Sequence, residues 1–457
     1  MNTDFKLISP VDGSEFKCIA YLTDEDAAET IIKAQSVQGA WQATPLRDRV
    51  IICERFIDEL LRKSDEIASE LTWQMGRPVS FSGKELLGLE ERARYMVSKA
   101  QKGLHPLEIE SENSTRYIDR VPHGVCLVIA PWNYPFLTAI NTIVPALLAG
   151  NTVILKPAGQ TALCGERIHQ ALRAAGLPEG VFQSVLATHH QVAQWITQMS
   201  VNFIAFTGSV RGGKAIETTA AGKFLPVTLE LGGKDPAYVR ADADLDHTVA
   251  SLVDGAFFNS GQSCCSIERI YVARSLFDKF VTRFKDETRK TQILGNPFKS
   301  ETTLGPVVSA SAADGIRKQI AEAISAGAEI VTGINEPDNS SLYLPATTLI
   351  TVNHHMPVMT EETFGPVVGI MPVDSDEEAV RAMNDSQFGL SASIWSTDKT
   401  VSAELARAVQ AGTVFVNRCD YLDPALAWVG VKNSGRGCSL SELGFHQVTR
   451  PKSYSIN

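Results

Sequence analysis

The chain has 457 residues, about three times the length of a typical domain, so two or three packed units are expected. Lys and Arg number 42 against 52 Asp and Glu, a net charge of −10 with no segregated basic cluster, which argues against a nucleic-acid partner. With 44% hydrophobic and 21% charged residues the chain is too apolar to be disordered, and its longest apolar runs, such as 125–131, fall far short of the ~20 residues of a membrane helix.

The opening Met1-Asn2-Thr3-Asp4-Phe5-Lys6 is polar and lacks the basic and then apolar stretch of a secretory signal, so the cytoplasm is the expected location. Apolar positions recur at helical spacing over 25–39 and 45–71, with Ile51, Phe56, Leu60 and Leu61 set among charges, and the first hundred residues read as a helical covering layer. The segment 105–122 alternates like an exposed strand. Short β-branched runs at 125–129, 152–155, 181–186, 202–206 and 227–229 are then separated by helices, a βαβ series that builds a parallel sheet. The helix after the first run has Pro135 in its first turn and Gly150 after its last, and sets Phe136, Ile140, Ile143 and Leu147 on one face for packing on the sheet. A second series starts near Glu268, with strands at 270–273, 329–332, 392–395 and 413–416, so a second α/β lobe is expected. The tail 447–457, like 105–122, fits neither series, and both are candidates to extend into a neighbouring subunit.

Eight cysteines are dispersed without a C-x-x-C pair, so at most one or two should carry chemistry. Cys264 ends a glycine-containing loop, Asn259-Ser260-Gly261-Gln262-Ser263-Cys264-Cys265, between an expected helix and an expected strand, and such an exposed turn suits a nucleophile. A cysteine taken alone is more often a small buried hydrophobe. No histidine lies near this loop in sequence, so a Cys-His hydrolase has no support there. Glu230, in Leu229-Glu230-Leu231-Gly232-Gly233, stands at a strand's carboxyl end, where open α/β sheets bind ligands; it reads either as a general base or as a capping or salt-bridged carboxylate. Asn133, in Pro131-Trp132-Asn133-Tyr134-Pro135, could donate to an oxyanion or cap the helix that begins at Pro135. Phe206-Thr207-Gly208-Ser209-Val210-Arg211-Gly212-Gly213 runs from a strand through glycines into a helix, a place that favours phosphate. Lys156, fixed by Pro157, adds a positive charge at the same sheet edge. The pairs His189-His190 and His354-His355 have no third ligand at suitable spacing, and no metal is expected.

These pieces fall at the ends of successive strands and so converge on one crevice if the sheet is parallel. Together with Glu361-Glu362-Thr363-Phe364-Gly365-Pro366, the set resembles the aldehyde dehydrogenase superfamily across nearly the whole chain, at least five separated motifs occurring in the family's order. The resemblance implies an α/β fold of two Rossmann-like parallel-sheet lobes with a small β extension for oligomerisation. It implies a cofactor domain from 1–104 and 123–232, a catalytic domain at 233–446, and oligomerisation strands at 105–122 and 447–457, in a homodimer or homotetramer. It further implies NAD(P)-dependent oxidation of a small-molecule aldehyde to the acid, with Cys264 as nucleophile, Asn133 and the Cys264 backbone N–H holding the oxyanion, and Glu230 activating water.

By the same resemblance NAD or NADP is bound by Trp132, Lys156 (adenosine ribose), Gly208, Ser209 and Gly213 (pyrophosphate side), Glu362 (nicotinamide ribose) and Phe364 (nicotinamide). The chain departs from the family at Gly159, where many NAD-dependent members carry a ribose-gripping Glu, and at Trp428-Val429, where Phe-Gly is commoner; Gly159 therefore predicts tolerance of NADP. Phe136, Thr138, Asn141, Phe258, Tyr421 and Trp428 are expected to line the aldehyde tunnel, and Arg418 lies nearby in sequence. A cysteine-dependent ester or thioester hydrolase and a non-catalytic relative are the competing readings.

Overall fold

A computed structural model of the chain describes residues 4–110, 113–333 and 341–456. Met1 to Thr3 of the opening segment, residues 111 and 112 of the expected strand 105–122, and Asn457 of the tail lie outside the described residues.

The chain opens on an antiparallel hairpin, Asp4–Ile8 with Glu15–Ala20, which the sequence did not signal because both strands are largely exposed and lack an apolar face. Four helices follow, Asp24–Ala43, Leu46–Leu61, Ser64–Met75 and Val79–Gly103. The periodic run expected at 45–71 is thus broken near Arg62 and Lys63. The buried positions keep helical spacing on both sides of the break, from Phe56 and Leu60 to Ile67 and Leu71, so hydrophobic phase alone could not reveal it.

The first sheet has six strands in the spatial order Gly435–Arg436, Val227–Glu230, Phe203–Thr207, Val125–Ile129, Thr152–Lys156 and Phe182–Ser184. All pairs are parallel except Gly435–Arg436 against Val227–Glu230. The chain enters at Val125–Ile129, fills one side through Thr152–Lys156 and Phe182–Ser184, and then returns to fill the other. That reversal sets the switch point between Val125–Ile129 and Phe203–Thr207, where doubly wound sheets bind ligands. Side chains of the entry strand alternate between the two apolar layers that cover the sheet: Cys126 and Val128 pack with Phe56, Leu89, Phe136 and Leu147, and Val125, Leu127 and Ile129 pack with Ile31, Trp195 and Ile204.

The second sheet runs Glu329–Thr332, Thr347–Ile350, Val367–Val373, Ile267–Ala273, Asp235–Val239, Ser391–Trp395 and Thr413–Val416, parallel except for the first pair. It is likewise covered on both faces. Three of its strands escaped the sequence reading. Asp235–Val239 begins with Asp-Pro, Val367–Val373 contains Gly369 and Pro372, and Thr347–Ile350 is only four residues long, so each resembles a turn or a short loop. After the second lobe the chain returns to the first, through the Gly435–Arg436 pairing and the helix Leu443–Gln447, whose Phe445 is buried in the first lobe's core.

The segments that fitted neither lobe form a third sheet. Leu107–Ile109 pairs with Thr115–Pro122, which pairs antiparallel over its whole length with Thr449–Ile456. Leu107, Ile109 and Ile456 on it are exposed. Among the described residues no helix is long and apolar enough to cross a membrane.

Candidate active site

The carboxyl ends of the first sheet's central strands open on a cavity of about 460 Å³ lined by Trp132, Asn133, Gly208, Ser209, Glu230, Cys264, Glu362 and Phe364, among others. Eight of the ten residues singled out above therefore meet at one place. Gly213 and Lys156 do not line it. Gly213 is buried in the helix Val210–Ala220, and a Cβ there would strike the Leu231 side chain, so its smallness serves helix packing.

Asn133 does not cap the helix Pro135–Ala149; that end is satisfied by Glu85, whose Oε1 accepts from the backbone N–H groups of Phe136 (2.8 Å) and Leu137 (3.2 Å). Freed from that role, Asn133 donates from Nδ2 to the Gln262 carbonyl at 3.2 Å and keeps a second N–H for a ligand. Its own carbonyl accepts from Arg77 Nη2. Arg77 and Glu85 form a fully buried ion pair, and Arg77 Nε donates to Asn259 Oδ1 at 2.9 Å. This framework ties Asn133 to the cysteine loop. Neither residue stood out in sequence, because a lone Glu in a helical run and a lone Arg between Gly76 and Pro78 both read as surface.

The loop itself turns through three consecutive residues with positive φ, Asn259 (54°), Ser260 (56°) and Gly261 (67°). Asn259 tolerates this region better than most side chains while Ser260 disfavours it, and the turn is held from outside: Asn259 by Arg77, and Ser260 by a 2.9 Å bond to the Gly305 carbonyl. Gly261 packs against the Gly365 carbonyl, leaving no room for a Cβ. Cys264 emerges half-buried into the cavity. Cys265 is buried behind it, with its thiol donating to Asp420 Oδ1 at 2.9 Å. The Cys264 thiol, burial and the Asp420 carboxylate all push the Cys265 pKa up, which disfavours its thiolate, while burial pushes Asp420 up to about 7.

Glu230 closes the strand Val227–Glu230 opposite Thr207. Its carboxylate accepts from Ser439 Oγ at 2.5 Å and Thr207 Oγ1 at 3.5 Å, and makes no ion pair within 4 Å among the described residues, which removes the salt-bridge reading. Burial raises its pKa; the Ser439 bond and the more distant Arg92 charge oppose the rise. A carboxylate so placed is suited to general-base work. Ser439, from the second lobe's return to the first, was not anticipated.

Glu362 accepts from the Gly233 backbone N–H at 3.0 Å, and its carboxylate fills the space a side chain on Gly232 would need. Burial, with the neighbouring Glu268 charge, pushes it up to about 7. Glu268 is itself bonded by Lys234 Nζ at 2.5 Å and by the N–H groups of Thr363 and Phe364, the latter at 3.0 Å, so this buried pair fixes the loop that carries Glu362. Phe364 is held at φ 51° with its ring edge-on to Trp132, centroids 5.5 Å apart.

Thr138, Asn141, Phe258, Tyr421 and Trp428 line the cavity as expected, but Phe136 does not: it is fully buried in the first lobe's core, on the helix face that packs on the sheet. Arg418 is exposed and lies over the Tyr421 ring at 3.4 Å. His354 bridges Tyr271 and Asp385, and among the described residues no group of three or more potential ligands could hold a metal ion.

The aldehyde dehydrogenase family model matches residues 1–454. The chain belongs to the aldehyde dehydrogenase family. An aldehyde dehydrogenase of Paenarthrobacter nicotinovorans is 32% identical over 451 residues, covering 97% of this chain and 98% of that one. The crystal structure of an indole-3-acetaldehyde dehydrogenase complexed with NAD+ superposes with a TM-score of 0.95 at 32% identity, covering 99% of this chain and 93% of that one. A succinic semialdehyde dehydrogenase of Streptococcus pyogenes, in complex with NADP+, gives 0.95 at 29% identity, covering 99% and 100%. The two-lobed α/β architecture is thus that of aldehyde dehydrogenases, oxidoreductases whose solved members carry NAD or NADP.

The residues present fit such a dinucleotide. The half-buried Lys156 ammonium makes no hydrogen bond or ion pair with any described residue, and burial lowers its pKa. A partly desolvated ammonium without a partner is stabilised by ligand hydroxyls or phosphate. Ser209 caps the helix Val210–Ala220 by accepting from the Gly212 N–H at 3.2 Å, leaving first-turn N–H groups for an anion. Gly159 also has a packing role. It opens the short turn Gly159–Thr161 with an ordinary φ, and a Cβ there would approach the Phe5 ring at 2.7 Å, so the N-terminal hairpin occupies the space next to it.

Proposed function

We propose that the chain oxidises an aldehyde to its carboxylic acid with NAD or NADP, and that Cys264, Asn133 and Glu230 carry the chemistry. The observation that supports this most directly is their convergence on one cavity, where Cys264 is half-buried while the adjacent Cys265 is only 3% exposed and bonded to Asp420. Cys264 Sγ attacks the aldehyde carbon, and the oxygen that becomes negative is held by the free N–H of Asn133 Nδ2 and the backbone N–H of Cys264. When bound, the nicotinamide serves as hydride acceptor and so makes a thioacyl-enzyme accessible. Glu230 takes the proton from the water that releases the acid, and the rise of its pKa on burial makes it a stronger base than an exposed carboxylate. Trp132, Gly208, Ser209, Glu362 and Phe364 form the cofactor side, with Lys156 at its far edge.

In this reading 1–104 and 123–232 bind the cofactor, 233–446 presents the nucleophile, and the segments 105–122 and 447–457, whose strands Leu107–Ile109, Thr115–Pro122 and Thr449–Ile456 form the third sheet, join subunits into a homodimer or homotetramer. All eight cysteines are free thiols, which suits a reducing cytoplasm. Glu230→Gln tests the scheme. A burst of reduced cofactor equal to the enzyme concentration, followed by slow acid release, is expected; unchanged steady-state turnover removes Glu230 from the role.

A further inference from the structure

One cation in the cavity makes no contact ion pair, although its charge reaches Glu230 and Asp420. Arg92, on the helix Val79–Gly103, lines the cavity and is only 8% exposed. Its Nη1 donates to the Leu137 carbonyl at 3.2 Å and to Asn141 Oδ1 at 3.3 Å, and it forms no ion pair within 4 Å among the described residues. Its Nε and Nη2 bond to no described residue, neither is sealed from solvent, and the residue they belong to lines the cavity. Asn141 is 3% exposed, and with Oδ1 engaged by Arg92 its Nδ2 is likewise a free donor.

The acidic groups around the cavity are already engaged elsewhere. Glu91 accepts from the Tyr421 hydroxyl at 2.7 Å, Asp420 from Cys265, Glu230 from Ser439, and Glu85 from Arg77. A guanidinium removed from water without an ion-pair partner is costly, and its planar donors match a carboxylate in a bidentate pair.

We propose that Nε and Nη2 of Arg92, with Asn141 Nδ2 beside them, anchor a carboxylate at the far end of the substrate, so that the enzyme takes aldehydes whose second terminus is anionic. The aldehyde half of this statement rests on the function proposed above; the anchor rests on Arg92. Arg92 is then a specificity-determining residue, and its contribution appears in KM for charged substrates.

Two measurements test it. The first compares kcat/KM for a linear ω-carboxyl aldehyde and for its methyl ester in wild type, Arg92→Met and Arg92→Lys. Arg92→Met is expected to lower the acid-to-ester ratio about 10- to 100-fold, through KM, with Arg92→Lys between the two. A loss of kcat shared equally by both substrates, with a shifted pH profile, would show that Arg92 acts through Glu230 instead and would overturn the anchor. The second needs no turnover: alkylation of Cys264 by a linear ω-iodo carboxylate of the aldehyde's length and by its neutral amide. The carboxylate-to-amide rate ratio should fall at least about tenfold in Arg92→Met and recover in part in Arg92→Lys; a ratio independent of residue 92 overturns the proposal. If no aldehyde yields reduced cofactor, the oxidation reading fails, and the alkylation ratio still decides the anchor.

Discussion

Replacing Glu85 by Leu should damage the protein more than any change in the cavity lining. Glu85 is completely buried, and its carboxylate serves three donors: the Arg77 guanidinium and the N–H groups of Phe136 and Leu137. Its loss strands an arginine whose own side chain is only 1% exposed and uncaps the helix Pro135–Ala149. Breaking one side of a buried pair costs about 3–5 kcal/mol, and the two orphaned N–H groups push the effect toward the upper end. Removing both charges with Arg77→Met and Glu85→Leu should be milder than Glu85→Leu alone by about 2 kcal/mol, since no charge is left unpaired. Urea unfolding followed by tryptophan fluorescence on the four proteins gives the coupling. Because Arg77 also holds the Asn133 carbonyl and Asn259, the folded fraction of Arg77→Met should lose up to about 100-fold in kcat, the scale of a misplaced oxyanion donor. A Glu85→Leu protein within about 1 kcal/mol of wild type, or a double variant as unstable as the sum of the singles, would refute the reasoning.

Cys264→Ala should abolish oxidation while cofactor still quenches tryptophan fluorescence, whereas Cys265→Ala should retain most activity because that thiol is buried against Asp420; equal losses would contradict the assignment. Asp420, raised to about 7 by burial, contributes stability that is complete below the unfolded carboxylate pKa near 4 and is lost as pH rises through 7. The thermal midpoint of Asp420→Asn should therefore gain on wild type between pH 5.5 and 8.5, and a constant difference would show that Asp420 ionises freely. Gly159→Glu cannot be read alone, since the new side chain meets Phe5. In a Phe5→Ala background it should weaken NADP by about 1–3 kcal/mol through repulsion of the 2′-phosphate and leave NAD equal or better, as measured by fluorescence titration of both cofactors. Equal effects on the two cofactors would remove residue 159 from the choice.

The sequence by itself determined the layered α/β plan and most of the cavity. Buried parallel strands are continuous apolar runs, and a helix bounded by Pro135 and Gly150 announces both of its ends, so the first sheet was legible nearly strand by strand. Cys264, Asn133 and Glu230, the proposed nucleophile, oxyanion donor and base, were legible as residues of one cavity because each directly follows or ends a strand or stands on a glycine-marked loop, and parallel strands bring such positions to one edge. Strands that begin with Asp-Pro or contain Pro372 were not, since their local chemistry is that of turns and only pairing with neighbours makes them strands. What surrounds the reacting groups was decided by the tertiary structure alone. Arg77 is 182 residues from Asn259, Ser439 is 209 from Glu230, and Asp420 is 155 from Cys265. Burial of these polar groups requires partners, and folding supplies them from distant segments that no local pattern connects. The same holds for Arg92, which reads in the chain as one charge in the run Glu90-Glu91-Arg92 and becomes an unpaired cation only when the helix is laid against the cavity.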